Sequence, residues 1–276
     1  MLVSARPRPA AAVSSPAIVI FAQRDRARAM ARSIFPRRRN RLVLTRTSAA
    51  FAQIFGDMLV DAAIVDLGSS ATSGEETWRV AGLAREFPSV PFFGLLPLRV
   101  SDGPTLAQCA ACDFSDVLVE GVDDAVARDI VSRETFTARF AHALHDPPAA
   151  LALSTPLQQM TWRCVVGRAG RGVRTDSLAH ALHVTREHLS RTFAADGGPN
   201  LKRVIDLVRL LAAAELAKNP GYDVRDVAKV LGFASPSHLS TTSQRVVGTK
   251  SASLTRLRTV DLIERFARGH GRSRRQ

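Results

Sequence analysis

The chain has 276 residues, which is enough for two domains of ordinary size. Its 46% apolar and 23% charged residues are a globular composition, and no run approaches the roughly 18 apolar residues of a membrane span. The charge is divided unequally, because residues 1–150 hold 17 Lys and Arg against 16 Asp and Glu, whereas residues 151–276 hold 21 against 9. This excess of 12 positive charges in the second half predicts a polyanionic partner, for which nucleic acid is the first candidate.

The first 16 residues are rich in alanine, proline and arginine and lack the apolar core of about 7–15 residues that a secretory signal needs. We expect a disordered leader there. Three cysteines without an export signal argue against a disulfide framework and favour a bacterial-type cytoplasm. The sequence contains no glycine-rich phosphate loop and no convincing set of metal ligands, so we expect neither a cofactor nor a metal.

Between residues 17 and 143, short apolar runs alternate with helical patterns. The candidate strands are Ala17–Ala22, Arg41–Thr45, Ala62–Asp66, Val90–Leu96 and Val117–Val119. The candidate helices that follow them cover about 24–35, 48–55, 75–86, 106–111 and 124–144. Short continuous apolar runs are typical of strands buried on both faces, and their alternation with helices predicts an α/β domain with a doubly wound parallel sheet.

The last of these helical patterns ends at residues 145–148, His-Asp-Pro-Pro, because a residue before proline avoids the helical backbone conformation. We interpret residues 144–156 as a linker. Beyond it the sequence has only helical patterns with short turns, beginning with a candidate helix over Leu157–Val166. We expect an all-α domain over residues 157–257, followed from 258 to 276 by a basic tail. Within this tail we expect Arg265–Gln276 to be disordered and to add non-specific affinity for phosphates.

One helical pattern occurs twice in the second half. The first copy is Asp176–Phe193 and the second is Val224–Gln244. The interval from the small residue of the first helix to the core leucine of the second helix is ten residues in the first copy, Ala179 to Leu189, and eleven in the second, Ala228 to Leu239. Any tight helical hairpin can mimic one such pattern, but two copies joined by one long helical segment, Asn200–Lys218, are considerably more specific.

The spacing within each copy is that of a helix-turn-helix unit. The small residue lets two helices cross closely, and an apolar residue, Val184 in the first copy and Phe233 in the second, fills the turn. The second helix of each unit then presents an outer face without apolar residues, which fits the major groove of DNA. The pattern therefore predicts a double helix-turn-helix domain.

The residues of this region resemble the DNA-binding domain of the AraC/XylS family. The matching segments are SLAHALHVTREHLSRTF, RLLAAAELAKN and VRDVAKVLGFASPSHLS followed by VVGTKSAS, and the Gly232-Phe233 pair is the most specific match. The resemblance covers residues 160–257 and implies that both recognition helices enter successive major grooves on one face of the duplex. The sequence departs from the family at Ser243, where an aromatic residue is usual, and at Ser251, where a proline is usual.

The outward positions of the two units are the candidate DNA contacts. In the first unit they are Arg186, Glu187, Ser190 and Arg191; in the second they are Ser235, Ser237, His238 and Thr241. Arg191 matches a family position that often reaches DNA, and an arginine bonded to guanine by two hydrogen bonds gives about 1–3 kcal/mol of discrimination. The plainer alternative is that Arg186 and Arg191 contact phosphates only, or contact no part of the DNA. The residues of the second unit are short and uncharged, which favours phosphate contacts, and His238 is equally well explained as a solvated surface residue.

The alternation over residues 17–143 resembles a response-regulator receiver domain, with Asp66 where a receiver carries its phosphoacceptor. The other functional residues of a receiver are absent, because Ala22, Gln23, Leu96 and Glu120 stand where its acidic pair, hydroxyl residue and lysine are expected. Magnesium needs several oxygen ligands, and a phosphoaspartate beside Glu120 would feel repulsion without a cationic partner. We therefore interpret the domain as a degenerate receiver used for dimerisation or for sensing.

The favoured hypothesis is a sequence-specific transcriptional regulator of the AraC type that binds double-stranded DNA, is not an enzyme and carries a receiver-like domain without phosphorylation. One alternative is a response regulator controlled by phosphorylation of Asp66, and another is a small α/β enzyme with a basic helical appendage. No membrane partner is expected. A homodimer through the first domain and a contact with RNA polymerase are left open by the sequence.

Overall fold

The computed structural model describes residues 16–36, 41–68, 70–195 and 198–272. The first half is a parallel sheet whose strands are β1 Ala17–Phe21, β2 Arg41–Thr45, β3 Val60–Asp66, β4 Phe92–Leu96 and β5 Asp116–Val119. Its helices are α1 Asp25–Ile34, α2 Ser48–Asp57, α3 Ser70–Glu86, α4 Gly103–Ala111, α5 Asp124–Glu134 and α6 Phe136–Ala143. The strand order is β2-β1-β3-β4-β5, and every pair is parallel, which confirms the predicted doubly wound sheet.

Burial explains why the apolar runs become strands. Every residue of β1 and β4 is buried, since helices cover both faces of the sheet. The strand order reverses between β1 and β3, where the register pairs Phe21 with Val65. Chain segments that leave β1 and β3 at this edge therefore lie next to each other, as at the ligand-binding edge of other open α/β sheets.

The helix predicted over 124–144 is two helices, and the prediction of one continuous helix is wrong. Thr135 lies between α5 and α6 with φ −52° and ψ 148°, outside the helical region. Its N–H still closes α5 on the Val131 carbonyl, while its hydroxyl accepts a hydrogen bond from the Ala138 N–H at 3.2 Å. The threonine therefore caps the second helix, which turns to pack against β3 and the next helix of the chain.

The described part of the second half contains helices and turns only. The helices are α7 Pro156–Val166, α8 Thr175–Ala181, α9 Arg186–Phe193, α10 Leu201–Leu216, α11 Val224–Val230, α12 Pro236–Val247 and α13 Thr259–Arg272. None of the helices in the described ranges has the length and hydrophobicity that a membrane span requires.

The expectation of disorder over Arg265–Gln276 is wrong for residues 265–272, which belong to α13. Leu262, Ile263 and Phe266 are buried, and their spacing of one, three and four residues puts them on one face of the helix. This face packs on α10 and α12. Residues 1–15 of the predicted leader and residues 273–276 lie outside the described residues.

The two halves share a buried boundary at the segment that joins α10 to α11. The side chain of Asn219 is buried; its amide donates to the Ser89 hydroxyl at 2.8 Å and accepts from the Ser89 N–H at 2.8 Å. The Gly221 N–H donates to the Glu86 carbonyl at 2.9 Å. The ring of Tyr222 lies edge-on to that of Phe87, with 4.8 Å between centroids. The segment 219–222 is thus fixed against residues 86–89 by hydrogen bonds and by apolar packing.

A second contact between the halves joins α2 to α11, the first helix of the second repeat. The two helices pack directly, and the Lys229 ammonium lies 2.7 Å from the Asp57 carboxylate. That ion pair is exposed and contributes only about 0–1 kcal/mol. The buried Leu151 and Leu153 of the predicted linker, and the Trp162 indole that donates to the Leu144 carbonyl at 2.7 Å, extend the shared core.

We predict that Asn219→Ala lowers the free energy of unfolding by about 1–3 kcal/mol, because it leaves the half-buried Ser89 N–H without its side-chain acceptor. Hydrogen exchange should become faster at residues 86–89 and 219–222. Asn200→Ala is the matched control, since Asn200 caps α10 through the Lys202 N–H at 2.9 Å and has no contact with residues 86–89 among its hydrogen bonds. Equal exchange changes in both variants would contradict the role of Asn219 at the boundary.

Candidate nucleic-acid interface

The first helix-turn-helix unit consists of α8 and α9. Helix α8 ends at Ala181 with Leu182 as its C-cap, and His183 then adopts a left-handed conformation with φ +54°. The Val184 N–H donates back to the Ala179 carbonyl at 3.0 Å, which places the valine in the turn as the sequence predicts. Thr185 caps α9 by accepting from the His188 N–H at 3.1 Å.

The second unit, α11 and α12, repeats this turn. Gly232 is left-handed with φ +69°, and the Phe233 N–H donates to the Ala228 carbonyl at 2.8 Å. One additional residue, Ala234, then precedes Ser235, which caps α12 by accepting from the His238 N–H at 3.0 Å. The extra residue explains why the two copies differ by one in their internal spacing: they are offset by 49 residues before the turn and by 50 after it.

The predicted contact residues of the first unit all lie on the exposed face of α9. They are Arg186, Glu187, Ser190 and Arg191. On the opposite face Leu189 and Phe193 are fully buried, which fixes the rotation of the helix. The Arg186 guanidinium is 3.5 Å from the exposed Asp176 carboxylate, whereas Arg191 makes no ion pair within the described part of the chain. An arginine without an acidic partner can bind an anion without first breaking an ion pair.

The offset of 50 residues identifies a further exposed residue on α9 that its own pattern does not single out. His188 is exposed and is the counterpart of His238 in the second unit. The same offset aligns Arg191 with Thr241 and the buried Phe193 with Ser243. The second recognition helix therefore has neither the arginine nor the buried aromatic ring of the first.

In the second unit Ser237, His238 and Thr241 are exposed, whereas Ser235 is half-buried and acts as the helix cap. The His238 Nδ1 accepts from the Ala234 N–H at 3.3 Å, and its ring lies edge-on to Phe233. Because Nδ1 is an acceptor, the neutral ring carries its proton on Nε2 and can donate it to an anion. These contacts orient the imidazole but leave the second helix with little charge.

A side chain of helix α10 holds the turn between α11 and α12 in place. The Arg209 Nε–H donates to the Leu231 carbonyl at 2.9 Å, and its guanidinium lies 3.7 Å from the centre of the Phe233 ring. Burial lowers the pKa of Arg209, although Asp206 opposes this effect. A Cβ at Gly170, whose φ is +67°, would come within 2.6 Å of the Arg209 backbone nitrogen, so the loop 169–172 approaches α10 closely.

At the carboxyl edge of the sheet, Asp66 is fully buried and bound by Arg24. The Arg24 Nε–H donates to both carboxylate oxygens, at 2.9 and 3.1 Å, and the Gly68 N–H donates to Oδ1 at 3.1 Å. Arg24 also forms an ion pair with Glu120, whose other oxygen is 3.3 Å from the Arg26 Nε. Burial lowers the pKa of Arg24, but hydrogen bonds to Asp66 and Glu120 outweigh it, so the net shift is upward.

This arrangement corrects the expectation that a phosphoaspartate at position 66, beside Glu120, would have no cationic partner, because Arg24 is a cation at this place. The guanidinium of Arg24 lies between the carboxylates of Asp66 and Glu120. In the sequence, Arg24 directly follows Ala22 and Gln23, the two positions at which a receiver has its acidic pair. The ion pair joins residues 42 and 96 positions apart in the sequence, so no local pattern indicates it.

The fold and the two units define a receiver-like α/β domain followed by a double helix-turn-helix domain. Residues 178–256 match a family model described as a helix-turn-helix domain, of the AraC type. This segment is less than half of the chain. No curated protein matches the sequence significantly.

Three solved structures are similar to the chain at low identity. A response regulator from Thermotoga maritima is 11% identical, with 44% of this chain and 98% of that chain covered and a TM-score of 0.36. Full-length FixJ from B. japonicum is 12% identical, with 84% and 97% covered and a TM-score of 0.37. A Burkholderia pseudomallei response regulator with a phosphorylated aspartic acid, calcium ion and citrate is 17% identical, with 64% and 98% covered and a TM-score of 0.34.

Each turn has one residue in the left-handed conformation, His183 in the first unit and Gly232 in the second. Substitutions at these two positions should change the free energy of unfolding in opposite directions. Gly232→Ala should lower the free energy of unfolding by about 1–2 kcal/mol, because a Cβ is strained at φ +69°. His183→Gly should raise it by about 0.5–1 kcal/mol, since glycine is free of that strain. Denaturant unfolding measures both changes.

Gly82→Ala is the control for the glycine change, because Gly82 lies inside α3 with no atom within 4 Å of an added Cβ. This variant should be about 0.5–1 kcal/mol more stable, as alanine is the better helix former. If Gly232→Ala is as stable as Gly82→Ala, the turn does not require a left-handed residue.

Proposed function

We propose that this protein is a sequence-specific DNA-binding transcriptional regulator of the AraC type whose receiver-like domain is not switched by phosphorylation. The observation that carries the proposal is the pair of helices, α9 and α12, that present exposed polar faces from two copies of one unit. Both helices belong to the matched segment 178–256 and to the half of the chain with the positive excess. The function is binding to duplex DNA in the cytoplasm, without a catalysed reaction.

The two units divide the work of binding in this proposal. Arg186 and Arg191 on α9 have the reach and the paired N–H donors to read guanine in the major groove. Ser237, His238 and Thr241 on α12 are short and uncharged, and they suit contacts with the phosphate backbone. Phosphate contacts position a protein on the duplex while base contacts specify the site, so we infer that sequence preference resides mainly in the first unit. Dimerisation and contact with RNA polymerase remain predictions from the sequence.

We predict that Arg191→Ala weakens binding to the preferred site by about 1–3 kcal/mol and removes the preference at one base pair. His238→Ala should weaken binding to all sequences by a smaller and nearly uniform amount. Selection of binding sites from random duplex DNA by each full-length variant measures both effects. Arg79→Ala is the matched control, because Arg79 is an exposed arginine of α3 in the nearly neutral half and should change neither affinity nor preference.

The proposal would be wrong in its division of labour if Arg191→Ala kept the selected sequence while His238→Ala changed it. The whole proposal would fail if the unaltered protein bound no duplex DNA. It would also fail if the affinity did not fall with salt, because each neutralised phosphate contributes about −0.9 to the slope of log K against log salt.

The state of Asp66 supports regulation without phosphorylation. Its carboxylate is fully buried and already accepts hydrogen bonds from Arg24 and Gly68. A phosphoryl group on either oxygen would have to displace the guanidinium and would add negative charge beside Glu120, which the same guanidinium neutralises.

We predict that Asp66→Asn leaves DNA affinity and regulated transcription unchanged, and that the unaltered protein takes up no phosphate from a small phosphoryl donor with Mg²⁺. Intact-mass measurement and a promoter reporter are the readouts. A phosphorylated species that disappears in Asp66→Asn, together with loss of regulation in that variant, would instead establish phosphorylation control.

We predict that Arg24→Ala destabilises the protein by about 3–5 kcal/mol, because it leaves two buried carboxylates without their shared cation. The matched control is Arg26→Ala, whose side chain is 79% exposed and pairs with Glu120 only. Thermal and denaturant unfolding compare the two. Similar small losses for both variants would show that Arg24 does not neutralise the sheet edge.

A further inference from the structure

A cleft of about 290 Å³ opens between the carboxyl-terminal end of α12 and α13. Its lining includes Gln244, Arg245 and Gly248 from the end of α12, and Arg265 and Arg268 from α13. All three arginines are exposed. We refer to these five residues and the space between them as the α12–α13 cleft.

The cleft continues the exposed stripe of the second recognition helix. Gln244 and Arg245 lie three and four residues after Thr241, which itself lies three and four residues after His238 and Ser237. All five residues therefore share one face of α12. The buried residues of α12, from Leu239 to Val247, lie on the opposite face. A duplex that contacts the stripe and extends past the end of α12 therefore reaches the cleft.

The cleft carries more positive than negative charge. Arg245 lies 2.8 Å from Asp206, whose carboxylate is largely covered, and Arg268 lies 3.8 Å from the exposed Glu264. Arg265 makes no ion pair within the described ranges. Burial raises the pKa of Asp206. The Asp261 carboxylate also acts on Arg265 but is bound by Arg258 at 3.0 Å. The cleft and its rim therefore hold four guanidinium groups against three carboxylates, an excess that can accept an anion.

The end of α12 is open where an anion would enter. Gly248 closes the helix in a left-handed conformation with φ +69°, and an added Cβ there would meet no atom within 4 Å. Arg245 also has a local role, because a cation in the last turn favours the negative end of a helix dipole. The arginines of α13 have no such relation to α12, and they point to a ligand more directly.

The cleft also supplies the positive charge that the second unit lacks. Thr241 stands where the first unit has Arg191, so the middle turns of α12 have no cationic side chain that could bind a phosphate. We propose that the α12–α13 cleft binds a backbone phosphate of duplex DNA beyond the second recognition helix, with Arg265 and Arg268 of α13 and Arg245 of α12 as its ligands. This inference rests on the proposed DNA-binding function and adds α13 to the interface.

The test compares the full-length protein with the double variant Arg265→Gln, Arg268→Gln, by binding to a selected site and to random duplex at several salt concentrations. The slope of log K against log salt should become shallower by about 1, because one phosphate contact is lost, and the affinity should fall roughly tenfold at 0.1 M salt. The loss should be equal on both duplexes and the selected sequence should not change, because phosphate contacts carry no sequence information.

Two controls separate charge from folding. The double variant Arg79→Gln, Arg133→Gln removes two exposed arginines from the nearly neutral half. Each of them, like Arg268, forms an ion pair with an acidic residue four positions before it in its own helix. This control variant should leave the slope of log K against log salt unchanged. The double variant Arg265→Lys, Arg268→Lys keeps both charges and should restore most of the slope. Loss of affinity that lysine does not restore would assign α13 a structural role and overturn the proposal.

The outcomes distinguish this inference from the function on which it rests. If the unaltered protein binds DNA and the glutamine variant keeps the full slope, the cleft is not a phosphate site although the protein is a DNA-binding protein. If the unaltered protein does not bind duplex DNA, both the proposed function and the cleft proposal fail.

Discussion

Helix α10 is the element on which the second half of the protein depends. Eleven of its sixteen residues are buried, and they lie on nearly every side of the helix. A helix that is apolar all round is stable only when other elements surround it, and here α7, α11, α12 and α13 do so. Since each buried aliphatic side chain contributes about 1.5–3 kcal/mol, this packing fixes where the second recognition helix stands. Helix α9 joins the same core through α7.

The same helix connects the DNA-binding half to the sheet. Its end leads into the segment 219–222, which is fixed to residues 86–89 by the Asn219 amide and by the packing of Tyr222 on Phe87. Helix α2, which contacts β1 and β2, packs on α11 beside this segment. The receiver-like domain therefore contacts the second unit through α11. The side chains of α9 that we propose as DNA contacts are exposed.

The sheet and the paired units could be predicted from sequence because both are encoded by local spacing. Five short apolar runs indicate buried strands, and the repeated interval after Ala179 and Ala228 indicates the two turns. The structure adds that the difference of one residue is Ala234, placed between the turn and the cap. The break at Thr135 could not be predicted, because the apolar period continues across it while one backbone angle changes.

Other features depend on contacts between distant parts of the chain. The many basic residues and glycines after residue 258 make the apolar period of α13 hard to recognise in the sequence. The helix forms because Leu262 and Phe266 are buried against α10 and α12. Arg24 reaches Asp66 and Glu120 only after the strand order has brought three strand ends together. The candidate contacts on α9 could be predicted from the helical period alone. The α12–α13 cleft could not, because its arginines come together only when α13 packs on α12.

The central claim is that one unit reads the sequence and the other holds the backbone, and hydroxyl-radical footprinting on a selected site tests it most directly. Two protected backbone windows about 10 base pairs apart are expected on the selected site. On duplexes in which the bases of one window are scrambled, protection should be lost when the window of the first unit is scrambled and kept when that of the second unit is scrambled. A single protected window, or equal sequence preference in both windows, would contradict this claim.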